Sequence, residues 1–358
     1  MTKLKEHKPS KIEALKAMTP ADRRRAIFDG IMNNAMFIII ALVIIYVAIK
    51  NPRFLSIPSL VNIVSLTAAK LPIALGVGGC IILAGTDISA GRQVGLAACI
   101  SAGLQLTTNK LFPGLQILPI PVVLLCVLVA CAMVGFVNGF FMAKFKLHPF
   151  IVTLSTQLIV YGLVLLFMQL GTNGGQTLSG MSEGYRNFII KPLLTLKTSS
   201  GPVTVPRYVL YSTIITAIVW VIWNKTAFGK NMYAVGSNEE AANVSGVNVS
   251  KTIILVFVMA GMLYGITGFM DAARIASVNA TTGLNYEADA IAACVIGCSS
   301  FVGGIGKVSG AIIGVLLLQI IFAGLNFLSV DANYLYIVKG LIILIACSID
   351  MRKYLVRK

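Results

Sequence analysis

The sequence predicts an all-α polytopic membrane protein with about ten transmembrane helices and both termini in the cytoplasm. Three observations lead there. Apolar residues make up 57% of the chain and charged residues only 12%, whereas a soluble domain carries about a quarter charged residues. The apolar residues fall in uncharged blocks, notably 111–143, 252–270 and 308–330, long enough for helices that cross a hydrocarbon layer. The basic residues are spread unevenly between the blocks, which sets an orientation.

Taken in order, residues 1–31 form a charged N-terminal segment. Thr19, Pro20 and Asp22 signal a helix start, and Ala26, Ile27, Gly30 and Ile31 lead into the membrane as a short interfacial helix. No small-residue cleavage site follows the first apolar run, so this is not a cleaved signal. The membrane domain spans 32–350, with crossings at about 32–49, 60–83, 92–109, 117–141, 150–170, 208–223, 252–270, 287–303, 308–328 and 333–349. An outer loop, 171–207, is rich in Gly, Ser, Thr and Pro, and a short tail, 351–358, ends the chain. With the N-terminus inside, inner segments hold nineteen of the 29 Lys and Arg, outer segments eight, and Lys70 and Lys339 lie within spans. That bias satisfies the positive-inside rule and accounts for the excess over 13 acidic residues. No basic stripe interleaved with aromatics suggests nucleic acid; the expected surroundings are membrane lipid.

The segment 224–251 is polar between two membrane-grade runs. Ser237 and Glu240 have the spacing of a capping box, with Asn238 to Ser245 as a two-turn helix and Gly246 as its left-handed stop. Glu239 and Glu240 suit the positive end of that helix. Ala241, Val244 and Val247 offer a small apolar face. So short a helix is marginal alone: either it docks against something, or the segment is an ordinary solvated loop with a helical turn.

Charge at membrane depth is costly and tends to face a partner or an aqueous path. Asp87, Ser89, Arg92 and Gln93 lie in a Gly-rich break at the inner end of the second crossing. Either they line or gate a solute path, or Asp87 caps a helix and Arg92 anchors at the inner surface. Glu287 and Asp289 enter the eighth span from outside, Asp289 the deeper; capping alone explains Glu287. Lys70 and Lys339 either snorkel or pair with these acids. Glycines four apart at Gly135/Gly139, Gly261/Gly265 and Gly306/Gly310/Gly314 predict close helix packing, chiefly within the chain. Gly76, Gly78 and Gly79 read the same way.

Nothing resembles a catalytic site. Gly306-Lys307 is followed by Val308 and lacks the earlier glycine of a phosphate-binding loop. Seven cysteines, all in apolar runs, and two histidines, His7 and His148, make a metal site unexpected.

Three stretches, GTDISAGRQVGLAA (85–98), GSNEEAANVSGVNV (236–249) and YEADAIAACVIGCSSFVGGIGKVSGAIIG (286–314), resemble the permease subunits of bacterial sugar ABC importers of the ribose/galactose/xylose type. The Arg-Gln pair of the first is most similar to the galactose/methylgalactoside branch. Gly297-Cys298 departs from the family's form, in which a second glycine is usual. The resemblance implies a homodimer in the bacterial cytoplasmic membrane and a periplasmic or extracellular sugar-binding protein, docking on the outer loop 171–207. It also implies a separate ABC ATPase that binds ATP and Mg, so this chain needs no cofactor of its own. Ser237, Asn238, Glu239, Glu240, Ala241, Val244, Gly246 and Val247 would then couple to that ATPase. The rival classes are a secondary transporter or facilitator without an ATPase, a membrane-embedded enzyme, and a same-family importer of ribose, nucleoside or amino acid.

Overall fold

A computed structural model describes residue 19 and residues 35–171, 173–198, 201–297 and 299–355. The expected N-terminal interfacial helix, Cys298 and the last three residues of the tail lie outside the described residues.

Among the described residues six helices are long and apolar enough to cross a membrane. They are α2 (Ile57–Ile82), α4 (Ile120–Phe145), α5 (Pro149–Met168), α7 (Arg207–Lys225), α10 (Val249–Ile275) and α12 (Val308–Phe327). Helices that are shorter or less continuously apolar occupy the other expected crossings: α1 (Ala35–Lys50), α3 (Ala90–Gln105), α11 (Tyr286–Ile296) and α13 (Ala332–Leu355, with an apolar stretch at Asn333–Ile345). Prolines near the first turns of α2, α4 and α5 cost no hydrogen bond there. Ser56 and His148 cap α2 and α5 through Ser59 N and Phe150 N.

The eighth crossing, expected over 287–303, is corrected. α11 stops at Ile296 after 11 residues, about 16 Å of helix, roughly half of a hydrocarbon core. Gly303 and Gly304 take φ of +88° and +67°, and the chain folds back, with Ser300 N bonded to Ile305 O. Hydropathy cannot see this turn, because its residues are apolar or small. Irregular backbone is tolerated there because it lies against protein.

Helix α10 is the spine, flanked along its length by α4, α3 and α2. Two thirds of the apolar stretches of α2 and α10 are buried (67% each), against 22% for α4 and 28% for α5 and α7; the latter three leave broad apolar faces exposed on the chain. One core gathers around Trp223, Phe257 and Tyr264, and a second around Tyr185, Phe269 and Met270. The glycine pairs set the closest seams. A Cβ at Gly139 would lie 2.7 Å from Ile254 Cα, and one at Gly314 would lie 2.7 Å from the carbonyl carbon of Ala293. These seams lie within one chain, α4 on α10 and α12 on α11.

The all-α expectation needs a second correction. The segment 171–207, expected as an outer loop, contains helix α6 (Glu183–Ile190) and an antiparallel pair of strands, β2 (Pro192–Thr198) and β3 (Gly201–Pro206). It also contains β1 (Leu178–Ser179), paired with β4 (Ser277–Val278) just after α10. Alternating Thr, Val and Leu favour extended chain in both strands. Tyr185 and Ile189 are fully buried, and the Tyr185 hydroxyl donates to Phe269 O, so this segment is folded onto the bundle.

The polar segment 224–251 carries two helices where one was expected: α8 (Ala227–Ser237) and α9 (Glu239–Val244). Thr226 caps α8 through Gly229 N, 3.2 Å. The capping box is corrected by one residue. Ser237 ends α8 and donates to Tyr233 O at 2.8 Å, while Asn238 Oδ1 accepts from Ala241 N at 2.9 Å and caps α9. Asn caps as well as Ser, so spacing alone placed the frame one residue early. Gly246, with φ +83°, turns the chain out of α9.

Candidate functional site

The turn between α2 and α3 is a buried polar knot. Asp87 Oδ1 accepts from Ser89 N (3.0 Å) and Ser89 Oγ (2.5 Å), and Ser89 Oγ accepts from Gln93 Nε2 and Asn138 Nδ2, both at 3.0 Å. Thr156 Oγ1 donates to Asn138 Oδ1 at 2.6 Å. Asp87, Ser89, Gln93 and Asn138 have no exposed surface. The knot ties the unwound turn and α3 to α4 and α5. Asp87 does not cap α3, since its first-turn contact is to Ser89 N; Ser89 holds the cap position without a side-chain cap bond. Asn138 and Thr156 were missed by sequence reasoning, although Asn138 stands as the lone amide inside an apolar run between Gly135 and Gly139.

Arg92 departs from its three neighbours. Its guanidinium donates to Ala280 O (3.1 Å) and lies 4.2 Å from the Tyr161 ring centre. It therefore spans α3, α5 and the 277–285 connection, which is not the inner-surface anchoring offered as the alternative. Glu287 is close by: a Cβ at Gly91 would collide with its carboxylate.

Asp289 pairs with Lys339, whose Nζ is 2.9 and 3.0 Å from the two carboxylate oxygens. Lys70 does not join them. It sits over the Tyr286 ring and 3.9 Å from Asp271 Oδ2, while Arg274 Nε is 2.8 Å from Asp271 Oδ1. Asp271 is fully buried. Sequence reasoning missed it because it falls one residue past an uncharged run and reads as a flank; Arg274, one turn on, was the available signal. Six charged groups on α2, α10, α11 and α13 (Lys70, Asp271, Arg274, Glu287, Asp289, Lys339) thus gather around the first turn of α11, with Arg92 of α3 approaching from the other side.

The third cluster is the α8–α9 elbow. Ala242 is buried with Val235 and Val249, and Val247 packs beside them. This corrects the expected apolar face: Val247 is half-buried against its own chain, whereas Ala241 and Val244 are exposed, Val244 to 89%. Glu239 forms an ion pair with Lys146 at the end of α4; Glu240 is exposed. An open cleft of about 510 Å³ lies beside them, lined by Lys146, Glu239, Glu240, Asn243, Val247 and Asn248.

All three clusters fall within one match. The family described as "Branched-chain amino acid transport system / permease component" covers residues 59–347. The chain belongs to this permease family. It is a permease subunit, not itself an enzyme, and a multi-pass protein of the cytoplasmic membrane. The permease is 40% identical over 334 residues to the galactose/methyl galactoside import permease protein MglC of Haemophilus influenzae, covering 92% of this chain and 97% of that one. The MglC protein of Escherichia coli K12 is 38% identical over 338 residues, covering 94% and 98%. The ribose import permease protein RbsC of Bacillus subtilis is 33% identical over 339 residues, covering 93% and 97%. The galactoside branch implied by the Arg-Gln motif is the nearer of the two. No solved structure matches the permease significantly.

Proposed function

We propose that the permease is the membrane subunit of an ATP-driven importer of galactose and methyl galactosides, working by alternating access. The observation that carries this reading is near-full-length identity of 40% and 38% to two galactoside import permeases, against 33% to a ribose permease. In this reading the chain crosses the membrane ten times, counting α3 and α11 as partial crossings completed by their flanking loops, and both termini face the cytoplasm. Two copies form the pore. A separate ABC ATPase binds ATP and Mg and receives α9, with Val244 entering its groove and Glu240 meeting basic residues at the rim. The folded outer segment 171–207 receives the sugar-binding protein. Asp87, Ser89, Gln93, Arg92, Glu287 and Asp289 line or gate the path; the support for this is their gathering at the unwound start of α3 and the first turn of α11.

The test is sugar uptake in proteoliposomes holding the permease, its ATPase and the binding protein. Galactose uptake that requires ATP, exceeds ribose uptake and disappears in a Glu239→Lys/Glu240→Lys variant that still folds is the expected result. Uptake without ATPase would indicate a facilitator, and normal uptake by the double reversal would remove α9 from coupling.

A further inference from the structure

Resting on that reading, we infer that Gly236, Gly303, Gly304 and Tyr233 form a backbone-to-backbone joint that carries motion from the α8–α9 elbow to both unwound segments of the path. Three stretches meet there largely backbone against backbone, with Ala84, Ser237 and the Ile82 side chain filling the remaining space: the end of α2 (82–85), the α8–α9 elbow (236–237) and the turn after α11 (303–306). Ile82 O accepts from Gly304 N at 2.8 Å. A Cβ at Gly236 would overlap Ile82 O and lie 2.9 Å from Gly304 N. One at Gly303 would overlap Gly236 O and lie 2.8 Å from Ala84 Cβ, and one at Gly304 would lie 2.9 Å from Ser237 Cα. Tyr233 Oη donates to Gly306 O at 2.9 Å, which fastens the third stretch to α8.

A contact made mainly through backbone has few rotamers to absorb a displacement, and close-packed interiors transmit strain. What it connects gives the joint its meaning. The end of α2 leads within a few residues to Asp87 and the buried knot. The 303–306 turn closes the short helix α11, which carries Glu287 and Asp289. The elbow therefore holds the inner end of each irregular segment, while α9 is held to the body through Ala242 and its neighbours and through the Glu239–Lys146 ion pair. A push on α9 reaches both segments together through the last turn of α8.

The experiment uses the complete transporter in proteoliposomes, with Tyr233→Phe and Gly236→Ala. Tyr233→Phe removes one hydroxyl and no volume from the packing; Gly236→Ala drives a methyl group into Ile82 O. Assembly with the ATPase and basal ATP hydrolysis are expected to stay at the unmodified level in both. Sugar imported per ATP hydrolysed is expected to fall about three- to ten-fold in Tyr233→Phe, the size one lost hydrogen bond can carry, and further in Gly236→Ala. Should Gly236→Ala fail to fold, Tyr233→Phe decides. Unchanged sugar-to-ATP ratio in the folded variants overturns the joint, and so does a fall that tracks loss of assembly. If the Glu239/Glu240 reversal abolishes uptake while Tyr233→Phe keeps its ratio, the joint alone has failed. If the reversal also transports normally, the coupling role of α9 has failed with it.

Discussion

Replacing Asp271 by Asn should destabilise the permease more than its place at the end of α10 suggests. Asp271 is fully buried between two cations, 2.8 Å from Arg274 Nε and 3.9 Å from Lys70 Nζ. Unit charges about 4 Å apart attract by roughly 4 kcal/mol at an effective dielectric constant near 20. Removing one partner of a buried pair costs about 3–5 kcal/mol, because the remaining charge stays buried and uncompensated. Asn keeps an acceptor for Arg274, so the loss belongs at the lower end, about 3 kcal/mol. At about 2 °C per kcal/mol for a chain of this size, the unfolding midpoint should drop by about 6 °C. The assay is thermal unfolding of the detergent-solubilised permease, followed by loss of the monodisperse peak. Lys70→Met in the same chain should return at least half of that drop, since the stranded ammonium is then gone. A midpoint within about 1 °C of the unmodified protein, or strictly additive losses in the double variant, would refute the reasoning.

Further outcomes follow from the other two clusters. Asn138→Leu removes the bonds that Ser89 Oγ and Thr156 Oγ1 make to the amide, leaving Ser89 with Asp87 and Gln93 and Thr156 with Val152 O. It should cost about 1–3 kcal/mol by the same thermal assay, with Thr156→Val costing less because only one of the two bonds to Asn138 is lost. At the elbow, Asn238→Ala should weaken α9 by about 1 kcal/mol while Ser237→Ala changes it by a few tenths at most. Amide hydrogen exchange at residues 239–244 distinguishes the two, and equal effects would restore Ser237 as the cap.

What the sequence revealed and what it hid divide along physical lines. Gly135 and Gly139 announced their seam because a backbone-on-backbone contact needs small residues at helical spacing and nothing else. Helix existence was equally legible, since long uncharged runs admit few other structures in lipid. The end of α11 was not: the second half of 287–303 is apolar or small throughout, and the helix end at Ile296 with the left-handed turn at Gly303 and Gly304 appears only in three dimensions. The strand pair at 192–206 was hidden by reading Gly, Ser, Thr and Pro as loop formers, although Leu-Thr-Leu-Lys-Thr and Val-Thr-Val carry strand propensity. In the site, Asp87, Ser89 and Gln93 were found together because they are neighbours in sequence. Asn138, Thr156 and Asp271 come from other helices, and their partners are set by packing that a one-dimensional pattern does not contain. Lys339 with Asp289 is among the pairings the sequence offers; Lys70 with Asp271 is not, because Asp271 falls one residue past the uncharged run 252–270.

The sidedness and accessibility of Val244 test the central claim most directly. In a Cys126→Ser background, which removes an exposed native thiol, Val244→Cys can be probed with a membrane-impermeant maleimide. The coupling account predicts labelling in inverted vesicles, none in intact cells, and protection when the ATPase is bound. Labelling in intact cells, or labelling in inverted vesicles that the bound ATPase leaves unchanged, would contradict it.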